Sequence, residues 1–514
     1  MAGASASTTR RGLAPSCGRS ASFGSFILHQ WISWEHVDNR PRAWLHARRP
    51  HLEDLVKTLA GAETACRPLA ELVGAGIRVP LLQGGEALYA NLDYAATTPS
   101  LAPVAARIAE VLPWYASVHR GAGYLSVVST SLYESARASV GRFVGARTDD
   151  VVVFTRNTTD ALNLLVRAVP ADGEIVYLDI EHHADLLPWQ RHQNRCVRAG
   201  ATLAETIARL ARALEERPAA LLAITGASNV TGEIVPLADV VQVAHERGAR
   251  VAVDAAQLAP HRLIDLAAVG ADYAAFSGHK CYAPFGSGVL VGRRDWLDQA
   301  PAYLAGGGAI ESVTVEETNW ALSPERHEGG TPNFIGAVAL AQACGLLADL
   351  VRSGAVEEHE TTLRRRLLDG MAPLESIRPL RIWDDSKDAI GIVAFEVQGH
   401  EAGLVAAFLS CEHAVGVRDG KFCAHPLIER ISGGRSALRA SFGIGTTIDD
   451  VDRLIEGLTH YLEHGPRGSY SRHDRWFMPD FDSRPVPFPE VNLADPNLHL
   501  HLDLDSAPTA AHNQ

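Results

Sequence analysis

Val251-Ala-Val-Asp254-Ala-Ala-Gln257 and, one helical stretch later, Asp272-Tyr-Ala-Ala-Phe-Ser277-Gly-His279-Lys280 decide the fold of this chain. The first run is apolar and ends in a carboxylate, which reads as a buried parallel strand with Asp254 at its carboxyl end. The second is another short apolar run, and it delivers a lysine. Strand, crossover and strand place Asp254 and Lys280 on one edge of a sheet, the edge where open α/β sheets bind ligands.

Lysine is scarce in this sequence. Only four of the 47 Lys and Arg residues are lysine, at positions 57, 280, 387 and 421, so arginine does the surface work. A lysine at the end of a buried-looking strand suggests amine chemistry, because arginine stays charged and cannot form a Schiff base. The alternative is a solvated loop lysine, against which Ser277, Gly278 and His279 stand.

Working outward, Val151–Phe154, Glu174–Asp179 and Ala220–Ile224 are further short apolar runs separated by helical stretches. That is the pattern of an α/β, doubly wound, mainly parallel sheet. After about Leu350 the texture changes, and Ile390–Val397 alternates like a half-exposed strand of a smaller C-terminal α/β domain. The expected organisation is a disordered or targeting-like extension over 1–34, a helical extension over 35–85, a large domain over 86–350, a small domain over 351–463 and a Pro-rich tail over 464–514. Residues 1–34 contain no Asp or Glu and are rich in Ala, Ser, Gly and Arg. In the tail, Arg484-Pro-Val-Pro-Phe-Pro489 excludes a helix. Leu498–Asp505 alternates perfectly, as an edge strand, plain disorder or a weak metal tract.

At 514 residues, two folded domains plus extra segments are expected. Hydrophobic residues at 46% and charged ones at 21% exclude a disordered composition. A net charge of -13 argues against non-specific nucleic-acid binding, which needs a basic surface. No apolar stretch of membrane-helix length is expected, which points to a soluble, cytoplasmic chain with no membrane partner, organellar targeting by the N-terminal extension being left open. Seven scattered cysteines show neither zinc spacing nor a disulfide framework, so a reducing compartment and no metal site are expected.

Four further motifs carry chemistry. Asn157-Thr158-Thr159-Asp160 runs from a strand into a helix, where exposed backbone N–H groups favour an anion, although an ordinary N-cap reads the same way. Glu181-His182-His183 follows a strand, as a helix start or as a metal pair lacking a third ligand. Arg439, among apolar neighbours, offers the planar fork that suits a carboxylate. Cys423 sits in Arg418-Asp-Gly420-Lys421-Phe422-Cys423-Ala424-His-Pro426. An ordinary thiol is only about 3% thiolate at pH 7, and Arg418 or Lys421 nearby would raise that fraction.

Ser277-Gly-His-Lys280, preceded by Val253-Asp254-Ala-Ala-Gln257, resembles the pyridoxal-phosphate segment of the class V aminotransferase family, closest to group II cysteine desulfurases and selenocysteine lyases. The resemblance covers roughly Tyr89 to Tyr461. It implies a PLP-dependent transferase of fold type I, a homodimer, pyridoxal 5'-phosphate as cofactor and an amino acid as substrate. Lys280, Cys423 and His182 are the catalytic candidates it implies. Lys280 would carry the cofactor and Asp254 would hold its ring nitrogen. An ion pair there near 4 Å is worth about 4 kcal/mol at an effective dielectric of about 20, or about three pK units. His182 would stack on the ring, Gln257 would meet its hydroxyl, and Asn229 would hold ring or substrate. Thr158, Thr159, Ser277 and His279 would hold the phosphate, with Thr331 reaching in from the other subunit, and Arg439 would take the substrate carboxylate.

The group II cysteine loop, Arg-x-Gly-His-His-Cys-Ala-x-Pro, is matched at Arg418, Gly420, Cys423, Ala424 and Pro426. Lys421 and Phe422 stand in place of the two histidines. The implied activity is removal of sulfur from L-cysteine through Cys423, with a sulfur-acceptor protein as a further partner. On the same scaffold the alternative is an aminotransferase, lyase or epimerase in which Cys423 is a structural thiol. A non-catalytic scaffold is the reading from a different class. No strand is followed by G-x-G-x-x-G or G-x-x-x-x-G-K-[ST], which argues against a nucleotide site.

Overall fold

A computed structural model describes residues 66–474 and 476–493. The extension over 1–34, most of 35–85 and the alternating segment Leu498–Asp505 lie outside the described residues.

Seven strands form the main sheet: β1 (Asp150–Thr155), β2 (Ile175–Leu178), β3 (Asn194–Val197), β4 (Leu221–Thr225), β5 (Arg250–Asp254), β6 (Tyr273–Ser277) and β7 (Gly288–Arg293). Their order is β1-β7-β6-β5-β4-β2-β3. From β6 through to β3 the pairing is parallel, as the apolar runs imply. β4 and β6 are buried at every position, so their sequences read as continuous rather than alternating apolar runs. The exception is β7, antiparallel to both neighbours. The link from Ser277 to Gly288 is too short for the dozen or so residues a parallel crossover needs.

A four-stranded antiparallel sheet follows, with β8 (Ile377–Pro379), β9 (Ile392–Val397), β10 (Arg418–Gly420) and β11 (Ala437–Ser441) in the order β8-β9-β11-β10. The sequence suggests a half-exposed β9, yet all six of its residues are buried. Val393, Phe395 and Val397 pack in one core, with Leu363 and Phe408. Ile392 and Ala394 belong to the core of the seven-stranded sheet. The one carboxylate in the alternation, Glu396, is buried and paired with Arg378 and Arg435.

Among the helices that frame these sheets are α1 (Thr158–Ala168), α2 (Phe334–Arg352), α3 (Ala355–Met371) and α4 (Ala402–His413). Contrary to the expectation of no membrane-length apolar stretch, α2 is long and apolar enough to span a bilayer by length and composition. Ten of its residues are buried inside the fold, which accounts for that apolarity.

Two expectations for the ends change. The described part of the 35–85 extension is not helical: Arg78–Pro80 pairs with Glu86–Leu88 around a turn in which Gly84 and Gly85 take φ of +90° and +81°. Strands of three residues are too short to show a period. The stretch that opens the expected large domain, Ala90–Asn91, pairs instead with Val415–Gly416 from the C-terminal half. The Pro-rich tail begins with a hairpin, Tyr470–His473 with Trp476–Pro479. The carboxylate of Glu412 on α4 fixes it, accepting from the Arg467 and Gly468 N–H groups and the Tyr470 hydroxyl.

Candidate active site

The carboxyl ends of β1, β2, β4, β5 and β6 open onto one cavity of about 210 Å3. Thr158, Thr159, His182, Asn229, Asp254, Gln257, Ser277, His279, Lys280, Cys423 and Arg439 all line it. Every candidate residue named from the sequence is therefore brought together, with one exception. Thr331 is exposed and outside the cavity of its own chain. Its neighbour Gly330, at φ +94°, is held by its carbonyl on Arg120 (2.7 Å).

Lys280 ends a single 3-10 turn that follows β6. Burial pulls its amine from 10.5 down to about 8, Asp254 opposing and Arg439 adding to the shift. The amine is thus substantially neutral at mildly alkaline pH. Because only the neutral form is nucleophilic, reaction of Lys280 with a small aldehyde should rise with pH through an inflection near about 8. A pH–rate profile inflecting at the ordinary lysine value would contradict the burial argument.

Asp254 ends β5 and is 4% exposed. Burial raises its pKa, while the Ala256 N–H on Oδ1 (2.9 Å) and the Lys280 charge oppose that rise. A buried carboxylate in this state favours a cation placed against it. His182 caps the turn after β2, its Nδ1 accepting the Ala184 N–H (3.0 Å). That bond leaves the ring proton on Nε2. Burial, then Lys280 and His183, lower its pKa to about 3, so the ring is neutral. Gln257 Nε2 donates to the Ala95 carbonyl (2.8 Å).

The anion end is built at the N-terminus of α1. Asn157 caps the helix through the Asp160 N–H. Ser277 Oγ accepts the Thr158 N–H (2.7 Å) and meets the Thr158 hydroxyl (2.6 Å). Thr158 is thereby committed to Ser277, and the exposed Thr159 faces the cavity. Gly288 makes this packing possible, since a Cβ there would lie 2.5 Å from the Asn157 backbone.

Arg439 reaches the cavity from β11. Its Nη2 donates to Asp93 Oδ1 and its Nη1 to the Asn229 carbonyl, both at 2.9 Å, while its buried Nε has no partner among the described residues. Asp93 carries no role in the sequence reading. Its only sequence signal is a lone carboxylate in the short stretch Ala90–Tyr94. Across the strand pair Arg418 is the register partner of Arg439, so two guanidinium groups share this wall.

Cys423 stands on a backbone that L-residues rarely adopt. Phe422 and Cys423 have φ of +55° and +53°, conformations costing on the order of 1–3 kcal/mol each. Three bonds hold them: Asn229 Nδ2 to the Phe422 carbonyl (2.7 Å), His183 N–H to the Cys423 carbonyl (2.8 Å), and Ala424 N–H to the Lys421 carbonyl (3.0 Å). Phe422 is buried with its ring 5.2 Å from the Arg439 guanidinium, an apolar cover beside that fork.

These groups fit pyridoxal phosphate. A recessed amine, a buried carboxylate 26 residues before it in the chain, a neutral imidazole and a helix N-terminus with a free threonine meet at one cavity. Each matches one part of that molecule: aldehyde, ring nitrogen, ring face and phosphate.

Comparison with known proteins agrees. Residues 90–454 match the family described as Aminotransferase class-V. A probable cysteine desulfurase 2 from Mycobacterium leprae is 37% identical over 405 residues, covering 74% of this chain and 94% of that protein. The structure of a cysteine desulfurase from Thermococcus onnurineus NA1 superposes with a TM-score of 0.68 at 33% identity, covering 73% of this chain and 95% of the other. The cysteine desulfurase CsdA (S-sulfonic acid) from Escherichia coli gives a TM-score of 0.64 at 30% identity over the same shares. With this cavity, this sheet order and these relatives, the chain belongs to the class V aminotransferase family.

Proposed function

We propose that the protein is a pyridoxal-phosphate-dependent cysteine desulfurase that converts L-cysteine to alanine and leaves the sulfur as a persulfide on Cys423. The observation that carries this reading is the placement of Cys423, on a strained and thrice-anchored loop, at the same cavity as Lys280 and Arg439.

Lys280, Asp254, His182 and Gln257 would hold the cofactor, with Ser277, Thr158, Thr159 and His279 around its phosphate. When bound, the cofactor supplies an electron sink for the charge left as the substrate α-proton departs. Arg439 takes the substrate carboxylate, with Asp93 and the Asn229 carbonyl fixing the plane of its fork. Lys280 moves the proton at the α-carbon, which its lowered pKa suits. The Cys423 sulfur then attacks the substrate sulfur. The new S–S bond forms as the Cβ–S bond breaks, its electron pair stays on the carbon skeleton, and protonation yields alanine.

The working form is a homodimer in this reading. Thr331 lies outside its own cavity, and Leu112, Trp114, Tyr115, Tyr124 and Leu125 form an exposed apolar stretch suited to a second copy. A sulfur-acceptor protein would discharge the persulfide. A cytoplasmic site of action suits a chain whose described cysteines form no disulfide.

One observation favours a second reading, amino-group transfer to a keto acid. Lys421 and Phe422 occupy the loop positions next to Cys423, and the buried Phe422 ring cannot relay a proton. The deciding assay incubates the purified protein with L-cysteine and a thiol reductant and measures alanine and sulfide. Equal amounts of the two are expected. Exchange of the amino group with a keto acid, without alanine from cysteine, would replace the first reading by the second.

A further inference from the structure

Behind the cavity, on the turn that carries His182, lie two carboxyl groups with no basic partner. Glu181 and Asp185 are both 0% exposed. Glu181 Oε2 accepts the Thr225 N–H at the end of β4 (2.9 Å), and Asp185 Oδ1 accepts the Trp189 Nε1–H (3.1 Å). The remaining oxygens, Glu181 Oε1 and Asp185 Oδ2, have no N–H or O–H donor among the described residues, and the two side chains lie within hydrogen-bond reach of each other. Two acceptor-only carboxylates cannot satisfy each other. One of them must carry a proton.

The titratable groups facing the pair are Asp254 from β5 and the Cys196 thiol from β3. Neither supplies positive charge. Burial raises the affinity of both acids for protons, and each is pushed further by the negative charge of Asp254. No group of three or more His, Cys, Asp or Glu residues suited to a metal occurs among the described residues, which leaves a proton as the counter-charge.

We propose that Glu181 and Asp185 share one proton in the folded protein and act as positioning residues, clamping the His182 turn to β4 and placing a single negative charge behind Asp254. The part given to His182 and Asp254 rests on the function proposed above. The shared proton itself does not. The clamp spans the turn: Glu181 and Asp185 flank His182, and their outer bonds run to Thr225, which lines the cavity, and to the fully buried Trp189. The single charge makes Asp254 costlier to ionise alone and so strengthens its demand for a cation at the cavity.

The sign of the pH effect follows. An acid whose folded-state pKa is raised stabilises the fold below the unfolded value, about 4. That stability is lost as pH rises towards the folded pKa. One retained proton lowers the folding constant up to tenfold per pH unit across that window.

Infrared spectroscopy of the holoprotein tests the proposal. A protonated-carboxyl C=O band is expected in the wild type between pH 6 and 9, and it should persist in Asp254→Asn. It should vanish in Asp185→Asn and in Glu181→Gln, where the amide donates the hydrogen bond and no shared proton is needed. Either amide variant should also flatten the fall of melting temperature with pH above about 4. A wild type without the band, or a band and pH slope unchanged in a folded amide variant, would overturn the proposal. Failure of the desulfurase assay with the band present would count against the function alone.

Discussion

Replacing Lys280 with arginine is expected to end covalent capture of pyridoxal phosphate and to lower turnover by at least about 10²–10⁴-fold, the range that a positioned acid–base group contributes. Arginine keeps a positive charge for Asp254 to face but stays protonated at every working pH, so it can neither bond an aldehyde nor take a proton from carbon. Borohydride reduction followed by mass measurement of peptides reads the capture directly. In the wild type the cofactor mass should fall on Lys280. Lys387 is exposed and Lys421 does not line the cavity. An adduct on either of them, or on Lys57, would remove the basis of the assignment.

The second large effect concerns Cys423→Ala. Cofactor capture on Lys280 should be intact, because the roles proposed for holding ring and phosphate fall on other residues. Sulfide and alanine production from L-cysteine should fall by about 10³-fold, or about 4 kcal/mol of barrier. The split is informative, since it places the lost group after substrate binding. A variant that keeps making alanine from L-cysteine at the wild-type rate would show that the sulfur leaves without this thiol. The strained backbone at Phe422 and Cys423 would then need another explanation, such as a loop kept in place to cover Arg439.

Much of the site was legible because its parts sit at strand ends. Asp254 and Lys280 each close an apolar run, and a parallel sheet delivers all such ends to one edge. Thr158 and His182 follow the same rule after β1 and β2. What was not legible depends on contacts far apart in sequence. Asp93 meets Arg439 across 346 residues. The sequence offers Thr158 and Thr159 together for the phosphate, and the fold separates them, since Ser277 engages the Thr158 hydroxyl. Nothing in the sequence marks Glu181 and Asp185 as buried acids, because burial against β4 cannot be read from their neighbours.

The sequence alone determined the α/β class, the parallel core, the lysine and the acid, because apolar runs and strand ends are local signals tied to backbone geometry. Only the tertiary structure decided that β7 runs backwards, that β9 is buried on both faces, that the tail begins with a hairpin on Glu412, and that Thr331 stands apart from its own cavity. Each of these turns on which surface a segment packs against. Packing partners are fixed by long-range burial and by the pairing of buried polar groups, and neither leaves a period in the chain.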